Sequence, residues 1–278
     1  MNFRFFIFFV ALLSLISCRK DEPDYEKRNS YFKNIVPPIT SDSTINCTTY
    51  NIHLGFKAYD DPWSEEAIGG SFDQINQLVE ILQKIDADII ALQEVPVNRS
   101  NTIVKNFLEI LAARLQMNYA FGAHGYNDAV YPVEGEWGNA ILTKFKINSI
   151  HNEEVEYIDK WARRSVLNAQ LQLNDTTTLN ALSLHHMPTL EGIPNTADYI
   201  EQLNGPVVMM GDFNYLGEIN DFELIGYSDV DSTYLKHGID RIFYQKEYFE
   251  VLEIGHEDDV NFTSDHRAQY GILKILPD

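Results

Sequence analysis

The chain has 278 residues, 45% of them hydrophobic and 12% aromatic, enough to build a sizeable core and to exclude general disorder. Its formal net charge of −20 excludes passive, charge-driven binding of nucleic acid, which needs a basic footprint. It permits chemistry on phosphates wherever a cation neutralises the meeting point.

The opening "MNFRFFIFFVALLSLISC" places one charge, Arg4, before an apolar run from Phe5 to Ile16. That run is short against the roughly 20 residues of a membrane span and fits a signal-peptide core. Leu15-Ile16-Ser17-Cys18 resembles the lipobox of bacterial lipoproteins, and "RKDEPDYE" resembles the acidic export signal of surface lipoproteins in Bacteroidetes-type bacteria. These resemblances imply residues 1–17 as a signal peptide, a lipidated Cys18 and a cell-envelope, outer-membrane location at the surface. Cleavage there removes Arg4 alone among the charges, leaving the mature chain one unit more negative. Residues 18–43, with Pro23, Pro37 and Pro38, read as a tether, and residues 44–278 as the folded domain. With Cys18 lipidated, Cys47 has no intramolecular partner, so a disulfide framework is ruled out. In "INCTTYNI" it reads as a small core residue.

From there strands and helices interleave without a boundary. "TINCTTYNI" predicts a strand. "SFDQINQLVEILQKI" predicts a helix with Phe72, Ile75, Leu78, Val79, Leu82 and Ile85 inward and Ser71 as N-cap. "ADIIALQEV" predicts a buried strand ending in polar residues. "NTIVKNFLEILAARLQ" predicts a second amphipathic helix with Ile103, Phe107, Ile110, Leu111 and Leu115 inward. Strands follow at "GNAILTKF", "SVLNAQLQL" and "TTLNALSLHH", then a short helix near 196–203 and a buried strand in "VVMMGDFN". "IDRIFY" and "RAQYGILKI" supply the last strands. Strand-rich blocks flanked by a few helices indicate an α+β or layered α/β domain.

Strand after strand ends on a residue able to ligate metal or move a proton: Asn51, Glu94, His185 and His186, Asp212 with Asn214, Asp240, and the Ser264-Asp265-His266 run before the last strand. In extended chain, positions i and i+2 share a face, so Asp212 and Asn214 point the same way. Any one of these reads equally as a backbone cap or an Asx turn, and Asp240-Arg241 as a surface ion pair. Carboxylates, amides and imidazoles gathered at so many strand ends exceed what capping requires. The oxygen-rich set suits Mg²⁺, Ca²⁺ or Mn²⁺ rather than structural zinc.

In this order "TYNIHLGF", "DIIALQEV", "GNAILTKF", "ARRSVLNAQL", "LSLHHMP", "VVMMGDFN", "GIDRIFY" and "TSDHRAQYG" resemble the endonuclease/exonuclease/phosphatase superfamily, over roughly residues 44–276. That superfamily includes pancreatic-type deoxyribonucleases, abasic-site endonucleases, sphingomyelinases and inositol-polyphosphate 5-phosphatases. The resemblance implies an α/β fold, a four-layer α/β/β/α sandwich of two packed mixed sheets flanked by helices. It also implies an enzyme that hydrolyses phosphate esters by metal-assisted attack of water. Glu94, Asn51 and Asp265 are then expected on the Mg²⁺ (or Mn²⁺) side, and Asp212 on the attacking water. Asn214 and His266 are expected on the phosphate, with Asp240 holding His266. His185 and His186 compete for one further catalytic position. Alternation with the small Ser183 favours His185, leaving His186 as a rim residue. Arg163 and Arg164 compete as the phosphate-facing arginine, and Arg164, before the small Ser165, fits better; Asn139 completes the substrate side. His53, two positions after Asn51, stands where abasic-site endonucleases carry an acid, which weighs against that activity. The expected substrate is a nucleic acid, a phospholipid head group or a sugar phosphate, met by a monomer on a lipid anchor. The competing class is a non-catalytic surface binding lipoprotein that keeps the fold.

Overall fold

The computed structural model describes residues 29–277 except 63, 65, 127–132, 160–161, 190, 230–237 and 259–260. The expected signal segment and Cys18 lie outside the described residues. The strands are β1 (Ser30–Lys33), β2 (Thr44–Asn51), β3 (Ile89–Val97), β4 (Asn118–Tyr126), β5 (Glu136–Thr143), β6 (Lys146–Asp159), β7 (Ala162–Gln172), β8 (Thr178–His185), β9 (Val207–Asp212), β10 (Tyr227–Asp229), β11 (Asp240–Gln245), β12 (Phe249–Glu257) and β13 (Ala268–Ile275). The helices are α1 (Phe72–Ile85), α2 (Phe107–Leu115), α3 (Gly192–Ile200) and α4 (Asn220–Leu224). One sheet runs β1-β4-β5-β3-β2-β13-β12 and the other β10-β11-β9-β8-β7-β6.

The sheets stack face to face with helices outside, the four-layer sandwich that the strand and helix patterns resemble. The alternation of each strand explains the layering. Ile45 and Cys47 of β2, Ile89 and Ala91 of β3, and Ile141 of β5 face the other sheet, where they meet Leu167, Ala169, Ala181, Val208 and Met210. The intervening residues face outward: Tyr50, Ile90, Leu92 and Leu142 pack under α1 and α2, and Leu182, Leu184, Val207 and Met209 pack under α3. Each sheet holds one parallel pair at its centre, β2 with β3 and β8 with β9. α1 begins on a capping box, with Ser71 Oγ accepting from Gln74 N and the Gln74 side chain accepting from Ser71 N.

Four expectations need correction. The tether does not extend to residue 43: β1 pairs antiparallel with β4, and Ile39 and Ser41 donate backbone bonds to Lys144 and Leu173. The second helix starts at Phe107, because the backbone of residues 101–104 is claimed by the Gly69–Thr102 bridge and the Ile103 N to Gly69 O bond. Ile103 is therefore exposed, as is Phe72 in the opening turn of α1. The short helix spans Gly192–Ile200 rather than 196–203, with Pro194 in its first turn, where the missing N–H costs nothing. Five further strands appear: β4, whose run is broken by Gly122, and the edge strands β1, β6, β10 and β12.

Candidate active site

The layer between the sheets is aliphatic at its middle and turns polar at one end, at the carboxyl ends of both parallel pairs. On β2 the inward series Ile45, Cys47 continues to Thr49 and Asn51; on β8, Leu179 and Ala181 continue to Ser183 and His185; on β9, Val208 and Met210 continue to Asp212. Gln93 of β3 joins the sheets, accepting from Thr49 Oγ1 at 3.2 Å and donating to Ser183 Oγ at 3.2 Å. Gly211 precedes Asp212 because a Cβ there would lie 2.2 Å from the Leu184 carbonyl oxygen.

Strict alternation would send Glu94 to the helix side, with Ile90 and Leu92. Instead β3 bulges between Leu92 and Val95, and Glu94 adopts φ +54°. That left-handed conformation is rare for a side chain with a Cβ, and bulges of this kind re-aim side chains near sites. It turns the Glu94 carboxylate toward Asn51, whose Nδ2 donates to Glu94 Oε1 at 3.3 Å and to Asp212 Oδ2 at 3.1 Å. Asn51 Oδ1 accepts from His53 N at 3.0 Å. Asn51 therefore donates to both carboxylates at the place where the cation is expected.

From the start of β11 in the other sheet and the loop before β13 come Asp240 and His266, joined by Nδ1 to Oδ2 at 2.8 Å. Ser264 secures that loop, donating to Asn51 O at 2.7 Å and accepting from His266 N at 3.1 Å. His266 Nε2 then faces Asp212 Oδ2 at 3.7 Å and Asp265 Oδ1 at 3.9 Å. Burial works against its imidazolium, but Asp240 first, then Asp212 and Asp265, outweigh it and lift the pKa to about 10. Asp212 is pushed up to about 7, mainly by burial and then by the nearby Asp240, against the lowering effects of His266, Asn214 N–H and Asn51. Burial also raises the Glu94 carboxyl.

His185 and His186 separate by strand alternation. His185 Nε2 accepts from Asn214 Nδ2 at 3.0 Å and lies 3.6 Å from Asp212. Burial first, then the Arg164 charge, hold it well below the usual histidine range, so it is neutral. His186 points to the opposite side, 2% exposed, with its ring against Phe213, Glu156 3.5 Å away and Thr196 Oγ1 at 3.2 Å. The rim role expected for His186 is thus excluded by burial. Glu156 in turn accepts from Met187 N and Thr189 Oγ1.

Asn214 lies beside both histidines. Its Nδ2 is divided between His185 and the His186 carbonyl, and its N–H donates to Asp212 Oδ1 at 2.8 Å. These bonds orient His185 and Asp212. Asn139 has no exposed surface and donates to Ser165 O at 2.7 Å across the sheets, so it supports the floor rather than touching substrate. Arg164 lies over the Trp137 ring at 4.8 Å, on the His185 side, whereas Arg163 lies over Tyr157 and pairs with Glu154. Arg241 donates to Gly238 and Tyr215 carbonyls instead of pairing with Asp240.

Two members of the floor were not anticipated. Trp137 stands edge-on to His124 and His185, at 4.8 and 6.0 Å between ring centroids. Both fall on inward positions, Trp137 two residues before Asn139 and His124 four after Ala120, so strand periodicity would have found them had β4 been recognised and β5 been extended back to Glu136. Asp212, Asp240 and His266 bring ligand-capable atoms within 4.8 Å of one another, a group that can hold a metal ion. The 2.8 Å bond between Asp240 and His266 makes that pair a dyad in the first instance.

The Escherichia coli K12 protein YbhP, itself uncharacterized, is 27% identical over 193 residues, which cover 64% of this chain and 70% of YbhP. The crystal structure of an endonuclease/exonuclease/phosphatase from Beutenbergia cavernae is similar at a TM-score of 0.64 and 15% identity, covering 84% of this chain and 72% of that one. That of an endonuclease/exonuclease/phosphatase from Bacteroides vulgatus is similar at 0.61 and 19%, covering 84% and 100%. At these identities the two structures establish the shared fold. A family profile matches residues 48–266, a span that contains every polar strand end described above, and the chain belongs to the Endonuclease/Exonuclease/phosphatase family.

Proposed function

We propose that the protein is a divalent-cation-dependent phosphoesterase that hydrolyses phosphodiesters or phosphomonoesters at the cell envelope. The observation that carries this is the His266–Asp240 pair aimed at Asp212, a cationic donor facing a buried carboxylate across less than 4 Å. Such a pair suits in-line attack of water on a phosphate. Asp212, with a pKa of about 7, takes a proton from water near neutral pH. His266, held protonated by Asp240, donates Nε2–H to a non-bridging phosphate oxygen and stabilises the charge that develops there. Neutral His185, oriented by Asn214, flanks Asp212, and Arg164 supplies a second cation on the Trp137 side.

The residues also fit a hard cation. Glu94, Asp212, Asp240 and Asp265 converge with few cationic side chains to offset them, and burial raises the Glu94 carboxyl. Glu94 and Asp265 would hold Mg²⁺ or Mn²⁺. When bound, the cation supplies charge neutralisation for an anionic substrate that a protein of net charge −20 otherwise repels. The substrate class lies among nucleic acids, phospholipid head groups and sugar phosphates. Lipidation at Cys18 places the chain on the outer membrane, and incorporation of labelled fatty acid into the wild type but not into Cys18→Ala tests that part.

The test of the activity is a phosphoester panel assayed across a Mg²⁺ and Mn²⁺ titration. Cation-dependent hydrolysis that disappears in His266→Ala is expected. A panel left intact by the wild type at every cation concentration would reject the enzyme reading.

A further inference from the structure

The two ends of the sandwich differ in exposed apolar surface. At the end opposite the site, the turns at 86–88, 116–117, 144–145, 173–177 and 204–206 carry no exposed large apolar side chain among the described residues, and the segment bonded across them adds two, Ile35 and Ile39, each 41% exposed. Among the described residues the rim of the site carries six: Tyr59, Ile68, Ile103, Leu216 and Phe262 on its loops and Tyr157 near the end of β6, between 52% and 81% exposed. Their places follow from the connectivity. Tyr59 meets Phe262 at 5.4 Å between ring centroids, three residues before Asp265. Ile68 and Ile103 flank the Gly69–Thr102 bridge, and Gly70 N bonds to Gly55 O, four residues after Asn51. Tyr157 opposes Arg163, just past the level of His185, and Leu216 follows Asn214 by two residues.

The direction of the N-terminus is a second, independent observation. β1 is antiparallel to β4 with Ser30 opposite Gly122, and Asn29 bonds to Ala123 N and to Glu136. Glu136 opposes Val97, three residues past Glu94. The chain preceding Asn29 therefore enters the fold at the catalytic end, three strands from Glu94, a lateral distance of about 15 Å. Only the eleven peptide units from Cys18 to Asn29 lie between the expected acyl chains and this end, a reach of at most about 40 Å.

We propose that the catalytic end of the sandwich is a membrane-facing surface, its six apolar side chains seated in the interface of a lipid bilayer so that the site meets phosphate groups presented at the membrane surface. The occupant is a bilayer rather than a protein because a short lipidated tether delivers this end to it. The strong negative charge makes the contact hydrophobic rather than electrostatic, hence favoured on zwitterionic over anionic lipid. The choice of phosphates rests on the phosphoesterase reading, but the orientation does not.

The test uses the full chain on phosphatidylcholine vesicles, with spin labels at Leu216→Cys and Ile68→Cys at the catalytic end and at Asp175→Cys at the opposite end. Cys47 is buried, and the unsubstituted chain supplies the background. Labels at 216 and 68 should gain accessibility to oxygen and lose it to a water-soluble nickel chelate, while the label at 175 stays in water. Mixing phosphatidylglycerol into the vesicles should weaken the effect. Equal exposure to nickel at both ends would overturn the proposal whatever the enzyme does. Immersed rim labels on a chain that mass spectrometry shows unacylated would sustain the surface and reject only the lipid anchor. If the phosphoesterase reading also holds, Ile68→Ser with Leu216→Ser should lower hydrolysis of a vesicle-borne phosphoester at least about tenfold. It should leave a soluble phosphodiester unaffected, and equal loss on both would overturn the proposal.

Discussion

Replacing Asp240 by Asn removes one charge from the dyad and leaves its shape. Asp240 is 6% exposed and its Oδ2 lies 2.8 Å from His266 Nδ1. Two unit charges about 4 Å apart at an effective dielectric of about 20 interact by about 4 kcal/mol, equivalent to about three pKa units. His266 should therefore fall from about 10 to about 7 in Asp240→Asn, where Asp212 and Asp265 still offset its burial. The sign of the linkage is set by the raised folded pKa: the stabilisation is complete below the unfolded value near 6.5 and is lost as pH rises through about 10. The gap in unfolding free energy between wild type and variant should thus be widest at pH 6 and close towards pH 10. Imidazole NMR titration and urea unfolding at the two pH values, without added cation, measure both effects. His266 still titrating near 10 in the variant, or a stability gap that widens with pH, would refute the reasoning. With cation added, kcat should drop by about two orders of magnitude. Combined with His266→Ala, the substitution should be little worse than His266→Ala alone, because the pair acts as one unit.

Glu94→Gln should abolish cation-dependent activity with the fold intact; unchanged Mg²⁺ or Mn²⁺ affinity by calorimetry would remove Glu94 from the cation site. His185→Gln and His186→Gln should divide cleanly, the first lowering kcat and the second lowering thermal stability through loss of the Glu156 and Thr196 contacts. Equal kinetic effects would contradict the alternation that separates them. Ser71→Ala removes half of the capping box and should destabilise by about 1 kcal/mol in urea unfolding, with kcat unchanged. Cys47→Ala should likewise leave kcat intact while lowering stability, since Cys47 is fully buried between the sheets.

How much of this was legible beforehand differs by element, and for a physical reason in each case. The central strands announce themselves because both faces are buried: "VVMMGD" and "ADIIALQEV" have no solvent side to dilute the apolar run. The four edge strands do not. β6, with Lys146, Glu153 and Glu154, and β12, with Glu250, Glu253 and Glu257, carry the charges that keep sheet edges from pairing further, and those charges mask the alternation. At the site, period-two alternation alone places His185, Asp212 and Asn51 on the inner face, since they continue the series of Ser183, Met210 and Thr49. It also assigns His186 to the outer face. Glu94 is the opposite case. Its residue type and its position at a strand end were readable, but alternation points it away from the site. Only the bulge at φ +54°, stabilised by packing on both sides of β3, turns it inward. The partners of Asn214 and Asn139 were likewise beyond reach, because an amide names its hydrogen-bonding capacity and not who takes it up. Sequence determined which groups are present and which face of a strand carries them. The tertiary structure decided which of them meet, because contacts such as that of Asn51 on β2 with Asp212 on β9 exist only once two sheets have stacked.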